Sequence, residues 1–173
     1  VLQSLAEKRG IALHFQIDAS ICLTADQSLI TQLLLNLTEN AVKYGKEGGD
    51  VWVSAVQQGE QAILTVADNG IGVSAENLPH LFERFFRADP ARDRTGTGLG
   101  LSIAQWIVQL HGGTIRAESE LGAGTRFIVT LPLRQHIGIS AVPCVAPGER
   151  VTRGQLLADI PADALGAPVH ASI

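Results

Sequence analysis

Residues 93–105 read DRTGTGLGLSIAQ: Gly96, Gly98 and Gly100 alternate with Thr97 and Leu99, and an apolar helical pattern follows at once. Glycine in or beside a helix costs roughly 0.5–1 kcal/mol relative to alanine. Three of them at one helix start therefore mean either that the backbone bends sharply or that something comes very close to it. Leu101 to His111 predicts the helix itself, with Ile103, Ile107 and Leu110 on one face and Gly112 as its stop.

Working outward, hairpins and helices alternate in blocks. Downstream, TIRAES (114–119) and TRFIVTLPL (125–133) predict two strands around Leu121–Gly124. Upstream, VWVSAV (51–56) and AILTVAD (62–68) predict a second hairpin, closed by a polar turn containing Gly59. IALHFQID (11–18) alternates, with Ile11, Leu13 and Phe15 on one face of a strand. Thr24 and Gln27 fit a capping box opening a helix that runs to about Tyr44, with Ile30, Leu33, Leu37 and Ala41 as its buried stripe and Gly45, Gly48 and Gly49 ending it. Residues 69–100 are irregular, broken by Gly, Pro, Asp and Arg around the patch LFERFF. Thirty such residues inside a compact domain suggest a functional lid. The pattern predicts an α+β fold, an α/β two-layer sandwich with one mixed sheet and helices on one face.

The bulk numbers agree with a folded domain. The chain has 173 residues, 46% hydrophobic and 17% charged, enough for one core with an appendage. Its net charge of -4 offers no broad basic surface, which argues against nucleic acid as a partner. Cys22 and Cys144 are far apart, without metal-ligand spacing, and fit thiols of a reducing compartment. No apolar run reaches the ~18 residues of a membrane span, and no signal peptide is visible. The chain contains no methionine, and we read it as a piece of something longer.

Three stretches carry chemistry. Asn36, Asn40 and Lys43 recur at i, i+4 and i+7, a polar line beside the buried stripe. Carboxamide oxygens can ligate a hard cation and an ammonium can meet phosphate, although a merely solvated helix face would look the same. In DNGIGV (68–73), Asp68 ends a strand and can accept a hydrogen bond from an exocyclic amine such as that of adenine, while Gly70 and Gly72 permit a turn and close approach. GIGVSA also matches the dinucleotide-binding pattern G-x-G-x-x-A, but Pro79 and a broken pattern stand where its long helix should begin. The glycine run offers amide N–H groups and a helix dipole to an anion such as a triphosphate, without the lysine of a P-loop.

Together and in order, these stretches resemble the catalytic domain of sensor histidine kinases over residues 1–133. NLTENAVKYG (36–45) resembles the N box, DNGIGV the G1 box, LFERFFRAD (81–89) the F box and GTGLGLSIAQWIVQLHGG (96–113) the G2 box. The resemblance implies the Bergerat ATP-binding fold, with ATP and Mg²⁺ as cofactors. It implies that Asn40 ligates Mg²⁺ bridging the phosphates, with Asn36 close by, that Lys43 approaches phosphate and that Tyr44 packs near the adenine. Asp68 would bond the adenine amino group, and Gly70 and Gly72 would let the chain pass the base. Phe82, Phe85 and Phe86 would anchor the lid, Arg87 would reach the γ-phosphate, and Gly96 to Leu101 (Thr97, Gly98, Leu99 and Gly100 between them) would form the hinge and the phosphate-facing helix start. Asn36 replaces the glutamate with which related ATPases activate water. The resemblance thus implies transfer of the γ-phosphoryl to a protein histidine, with Asn36, Asn40 and Lys43 as the catalytic set. Glu39 points about 100° from Asn40 and ranks below Asn36.

The resemblance implies two partners outside this chain, a histidine-bearing dimerisation domain and a response-regulator receiver domain. His14, His80, His111, His136 and His170 lack the context of a phosphoacceptor, and structural roles are expected at His80 and His111. A cytoplasmic position without direct membrane contact follows, for a parent that can be anchored in the bacterial inner membrane. After Leu133 the character changes. Residues 134–173 resemble the start of a barrel-sandwich module of the kind in the C subunit of Rnf electron-transport complexes and related cobalamin reductases. That module is incomplete, expected to be weakly ordered, and without a lysine to carry lipoyl or biotin. The competing expectations are an ATPase or serine-directed anti-sigma kinase of the same superfamily, and a redox-complex subunit or binding module dominated by the tail.

Overall fold

The computed structural model describes residues 2–88, 97–133, 142–146, 148–159 and 169–170. The chain divides into two units, Val1–Arg134 and Gln135–Ile173.

In the first unit, α1 (Leu2–Lys8) leads into β1 (Ala12–Ile17), α2 (Gln27–Tyr44), the hairpin β2 (Asp50–Gln58) and β3 (Gln61–Asp68), a 3-10 turn (Leu78–His80), α3 (Gly100–Leu110), and the hairpin β4 (Thr114–Glu120) and β5 (Gly124–Pro132). The sheet order is β1-β2-β3-β5-β4. β1 runs parallel to β2 and every other pair is antiparallel, so the sheet is mixed as the alternating blocks require. Register aligns Phe15, Val53, Val66, Phe127 and Ala117 in one row. Side chains alternate across a sheet, so Val51, Val66, Val129 and Leu131 share the face on which Leu33, Leu37, Ile107 and Val108 pack. Asp68 falls on that same face, opposite Val51 and Thr125, at the end of β3. The other face carries a shallow concavity of about 430 Å³ lined by Trp52, Ile63, Ile128, Arg116 and Arg126 among others, on the side away from Asp68.

Several expectations change in detail. Asp26, not Thr24, caps α2: its carboxylate accepts from the backbone N–H of Ser28 at 2.8 Å and Leu29 at 3.2 Å. The Ser28 hydroxyl and these amides hold the Asp26 carboxyl below its ordinary range. A carboxylate at that end also meets the helix dipole favourably, which a threonine hydroxyl cannot match. α3 buries Ala104, Ile107 and Val108, while Ile103 and Leu110 of the anticipated face are exposed. Its apolar residues cover a wide arc opposite Ser102, Gln105 and Gln109, so their spacing leaves the buried centre of that arc undecided; small Ala104 is fully buried there. Phe15 is 64% exposed on β1, an edge strand of the sheet. α1 was not anticipated at all.

His111 plays the structural role expected of it. It is buried at the end of α3, with Nδ1 donating to the Ile107 carbonyl at 2.8 Å and Nε2 accepting from the Asp26 N–H at 3.3 Å. The imidazole thus ties the end of α3 to the start of α2.

In the second unit, β6 (Val142–Pro143), β7 (Leu156–Asp159) and β8 (Val169–His170) form a three-stranded antiparallel sheet, β6-β7-β8. The expectation of weak order there bears largely on residues 134–141 and 160–168, which lie outside the described residues, as does His136.

Candidate nucleotide site

α2 presents the anticipated polar line. Asn36, Asn40 and Lys43 are partly buried beside fully buried Leu33, Leu37 and Ala41, whereas Glu39 is exposed. The Asn36 carbonyl oxygen accepts from Gln32 Nε2 at 2.9 Å, and its Nδ2, buried, has no hydrogen-bond partner among the described residues. An unpaired buried donor costs about 1–3 kcal/mol, which an arriving acceptor would recover. A Cβ on Gly100 would stand 4.0 Å from Asn36 Cγ, so the glycine-led start of α3 lies beside this carboxamide. The Lys43 ammonium stands 5.1 Å from the ring centroid of Tyr44.

Against the C-terminal end of α2 lies DNGIGV. Asp68 is only 8% exposed, and its Oδ1 accepts from the Gly70 N–H at 2.8 Å. Burial pushes its carboxyl above the ordinary range, against the opposing pull of the Gly70 and Thr125 amides. A Cβ on Gly70 would sit 2.1 Å from the Tyr44 carbonyl oxygen and 2.6 Å from Gly45 Cα. The next residue, Ile71, donates its N–H to that same Tyr44 oxygen at 3.1 Å. Gly72 (φ +64°) leaves 1.9 Å between a built Cβ and the Glu120 carbonyl oxygen. Both glycines thus already serve close backbone packing inside the fold, whatever else they admit.

The stretch around LFERFF packs in part against the sheet. Phe82 packs edge-on against Phe127 with centroids 6.3 Å apart, and Phe86 is partly buried near His80 at 5.7 Å. Among the described residues the Phe85 ring lies in solvent, 69% exposed with φ +64°, while its N–H donates to the Gly98 carbonyl at 2.9 Å. A bulky residue at positive φ is strained backbone, held here by the turn at Gly98 (φ +69°), where a Cβ would come within 2.7 Å of the Phe85 carbonyl carbon. Arg87, Leu99 and Leu101 are partly buried and Thr97 is exposed. Gly96, the first hinge glycine, and Asp89 of LFERFFRAD lie outside the described residues.

Two residues that sequence reasoning passed over brace this region. Asn69 accepts from the Asp50 N–H at 2.9 Å through Oδ1, tying the loop after β3 to the start of β2. Arg9 donates to three carbonyls at the end of α2. Neither has a local sequence signal, because each acts on a partner distant in the chain.

A carboxylate at the rim of the sheet, two carboxamides and an ammonium along one helix, and a glycine-led helix start beside Asn36 form the candidate site. The family model of the histidine kinase-, DNA gyrase B- and HSP90-like ATPases matches residues 25–135. The chain belongs to this family. It is 37% identical over 135 residues to the sensor histidine kinase YclK of Bacillus subtilis, covering 76% of this chain and 28% of that protein. With the sensor protein SrrB of Staphylococcus aureus it shares 39% over 129 residues, 73% of this chain and 22% of that one. The chain thus spans less than a third of these relatives. Among solved structures, the mycobacterial sensor histidine kinase MprB is 31% identical with TM-score 0.67, over 77% of this chain and 91% of that one. Full-length ShkA, solved in complex with AMPPNP, is 30% identical with TM-score 0.62, over 76% and 29% of the two chains. The fold of the first unit is that of histidine kinase catalytic domains. A second family model, the RnfC barrel sandwich hybrid domain, matches residues 122–173. Its first residues coincide with β5, which the structure places inside the kinase-type sheet between β3 and β4.

Proposed function

We propose that residues 1–133 bind Mg-ATP and donate its γ-phosphoryl group to a histidine on a dimerisation domain outside this chain, as the catalytic part of a two-component sensor kinase whose product passes to a response-regulator receiver domain. The observation that carries this is convergence. Two segments distant in the chain meet α2, Gly100 beside Asn36 at one point and the DNGIGV loop against Tyr44 at the other. In this reading Asp68 accepts from the adenine amino group, Tyr44 packs near the base, Gly70 and Gly72 form the wall beside it, and Lys43 and Arg87 face phosphate. Phe82 and Phe86 seat the lid, and Thr97 to Leu101 supply amide donors at the start of α3.

Mg²⁺ fits the donor chemistry. Carboxamide oxygens are hard ligands, and this ion commonly takes one or two protein groups with the rest from phosphate and water. Among the described residues no cluster of three His, Cys, Asp or Glu side chains could hold a metal alone, so the ion would come with the nucleotide, on Asn40 with Asn36 adjacent. When bound it supplies neutralisation of phosphate charge. Asn36 cannot act as a general base, and Glu39, the nearest carboxylate in sequence, is exposed. Water activation is therefore poor, and positioning dominates. No helix among the described residues is long and apolar enough to cross a membrane; we place the domain in the cytoplasm. Residues 134–173 we assign to a separate, partial barrel-sandwich-like segment.

Calorimetric titration of Mg-ATP into the intact chain, Asn40→Ala and Asp68→Ala tests the reading. Micromolar-to-millimolar binding is expected. Asp68→Ala should abolish it with or without metal, and Asn40→Ala should weaken it only when Mg²⁺ is present. Equal affinity in all three proteins would refute the roles, and rapid steady hydrolysis would favour an ATPase.

A further inference from the structure

We infer that Arg9 is a positioning residue for the adenine end of this site, sharing the C-terminal cap of α2 with the DNGIGV loop. This rests on the nucleotide reading above. A helix leaves its last four carbonyls without intrahelical partners. Here the orphans are those of Val42, Lys43, Tyr44 and Gly45, since Ala41 already receives the Gly45 N–H at 2.8 Å. Arg9 takes three of them: one guanidinium nitrogen donates to the Val42 and Lys43 carbonyls and the other to Gly45 at 3.0 Å. The fourth, Tyr44, is taken by the Ile71 N–H at 3.1 Å. One side chain and one loop amide thus complete the cap between them.

Arg9 is itself fixed. It follows α1 directly, donates its N–H to Ala6 at 3.1 Å, and its carbonyl accepts from Gly48 at 2.9 Å. Ala12 N–H bonds Gly49 at 2.9 Å beyond it. The guanidinium is a planar fork with five donors and a charge suited to the negative end of the α2 dipole; a lysine ammonium cannot spread over three carbonyls in the same way. What the cap holds is the segment that matters for a base: Lys43 and Tyr44 on one side, and on the other Ile71, one residue from Gly70, whose amide holds Asp68 Oδ1. Loosening the last turn of α2 moves the Tyr44 carbonyl, and with it the Ile71 amide and the Asp68 carboxylate.

The test uses the intact chain, Arg9→Met, which keeps an unbranched apolar stem, and Arg9→Lys, which keeps the charge. Amide hydrogen exchange is followed without nucleotide at Gly45 and Ile71, against Val129 in the sheet as reference. Arg9→Met should speed exchange at Gly45 and Ile71 at least tenfold more than at Val129, with Arg9→Lys intermediate. In Mg-ATP titrations Arg9→Met should weaken ATP and ADP by the same factor, at least tenfold, because the defect lies at the base end. Proportional acceleration at all three amides, or unchanged ATP affinity in Arg9→Met, would overturn the inference; if Arg9→Met does not fold, Arg9→Lys is judged by the same criteria. Should the unsubstituted chain bind no ATP, the nucleotide reading fails, while the exchange data still decide whether Arg9 holds the loop.

Discussion

Replacing Gly100 with alanine should make the protein more stable and worse at binding nucleotide. Gly100 opens α3 without a left-handed φ, and a Cβ there meets nothing nearer than Asn36 Cγ at 4.0 Å. Glycine-to-alanine changes at such permissive positions stabilise by about 0.4–1 kcal/mol, chiefly by restricting the unfolded chain. For a unit of this size that is a rise of roughly 2–4 °C in Tm. The new methyl would project toward Asn36, into the space a triphosphate must share with the amides of the helix start. Losing one hydrogen bond to a charged phosphate costs about 1.5–3 kcal/mol, a 10- to 150-fold rise in Kd for Mg-ATP. Thermal unfolding followed by fluorescence reports the first unit alone, since Trp52 and Trp106 both belong to it; calorimetry supplies the affinity. A variant that is stabilised yet binds Mg-ATP like the parent would show that nothing needs the bare backbone at Gly100, and would remove the main geometric link between the glycine run and Asn36.

Gly70→Ala should do the opposite to the apo fold. Its Cβ would lie 2.1 Å from the Tyr44 oxygen, so backbone must move and the Ile71–Tyr44 bond must break, for an overpacking and hydrogen-bond loss of about 2–4 kcal/mol in urea unfolding; a loss below ~0.5 kcal/mol, within the range of a neutral surface change, would contradict the packing described. The raised Asp68 carboxyl gives a pH signature. With its folded value above the unfolded 3.8, its contribution is present below 3.8 and lost as pH rises through the folded value, so at neutral pH the ionised group weakens the fold. Asp68→Asn should therefore be more stable than the parent at pH 7, with the advantage shrinking as pH falls toward 4 while ATP binding is lost; urea midpoints at both pH values check it, and parallel pH curves would exclude burial as the cause.

Much of the site was legible because its residues are local and periodic. Asn36, Asn40 and Lys43 share a helix face at a spacing that survives any packing, and Asp68 ends a strand whose alternation is plain. Glycines at Gly70, Gly72 and Gly98 announce close approach without saying to what. Only the coordinates reveal the Tyr44 carbonyl, the Glu120 carbonyl and the Phe85 backbone as their neighbours. The errors were errors of phase and of choice. The apolar arc of α3 is wide, bounded only by Ser102, Gln105 and Gln109, so Ile103 and Leu110 could not be told from Ala104 and Val108 by spacing. The capping-box pattern points to Thr24, whereas the dipole together with the His111 ring, which accepts from the Asp26 amide, favours Asp26.

The sequence by itself determined the order of helices and strands from β1 to β5, the mixed two-layer arrangement and the chemical identity of the polar groups, because periodicity and turn chemistry are properties of neighbours in the chain. Tertiary structure alone decided which side of α3 is buried, that Arg9 and Ile71 divide the orphan carbonyls of α2 between them, and that Asp68 sits under low solvent exposure with its carboxyl pushed upward. Those depend on distances between segments far apart in the chain, which no local pattern encodes.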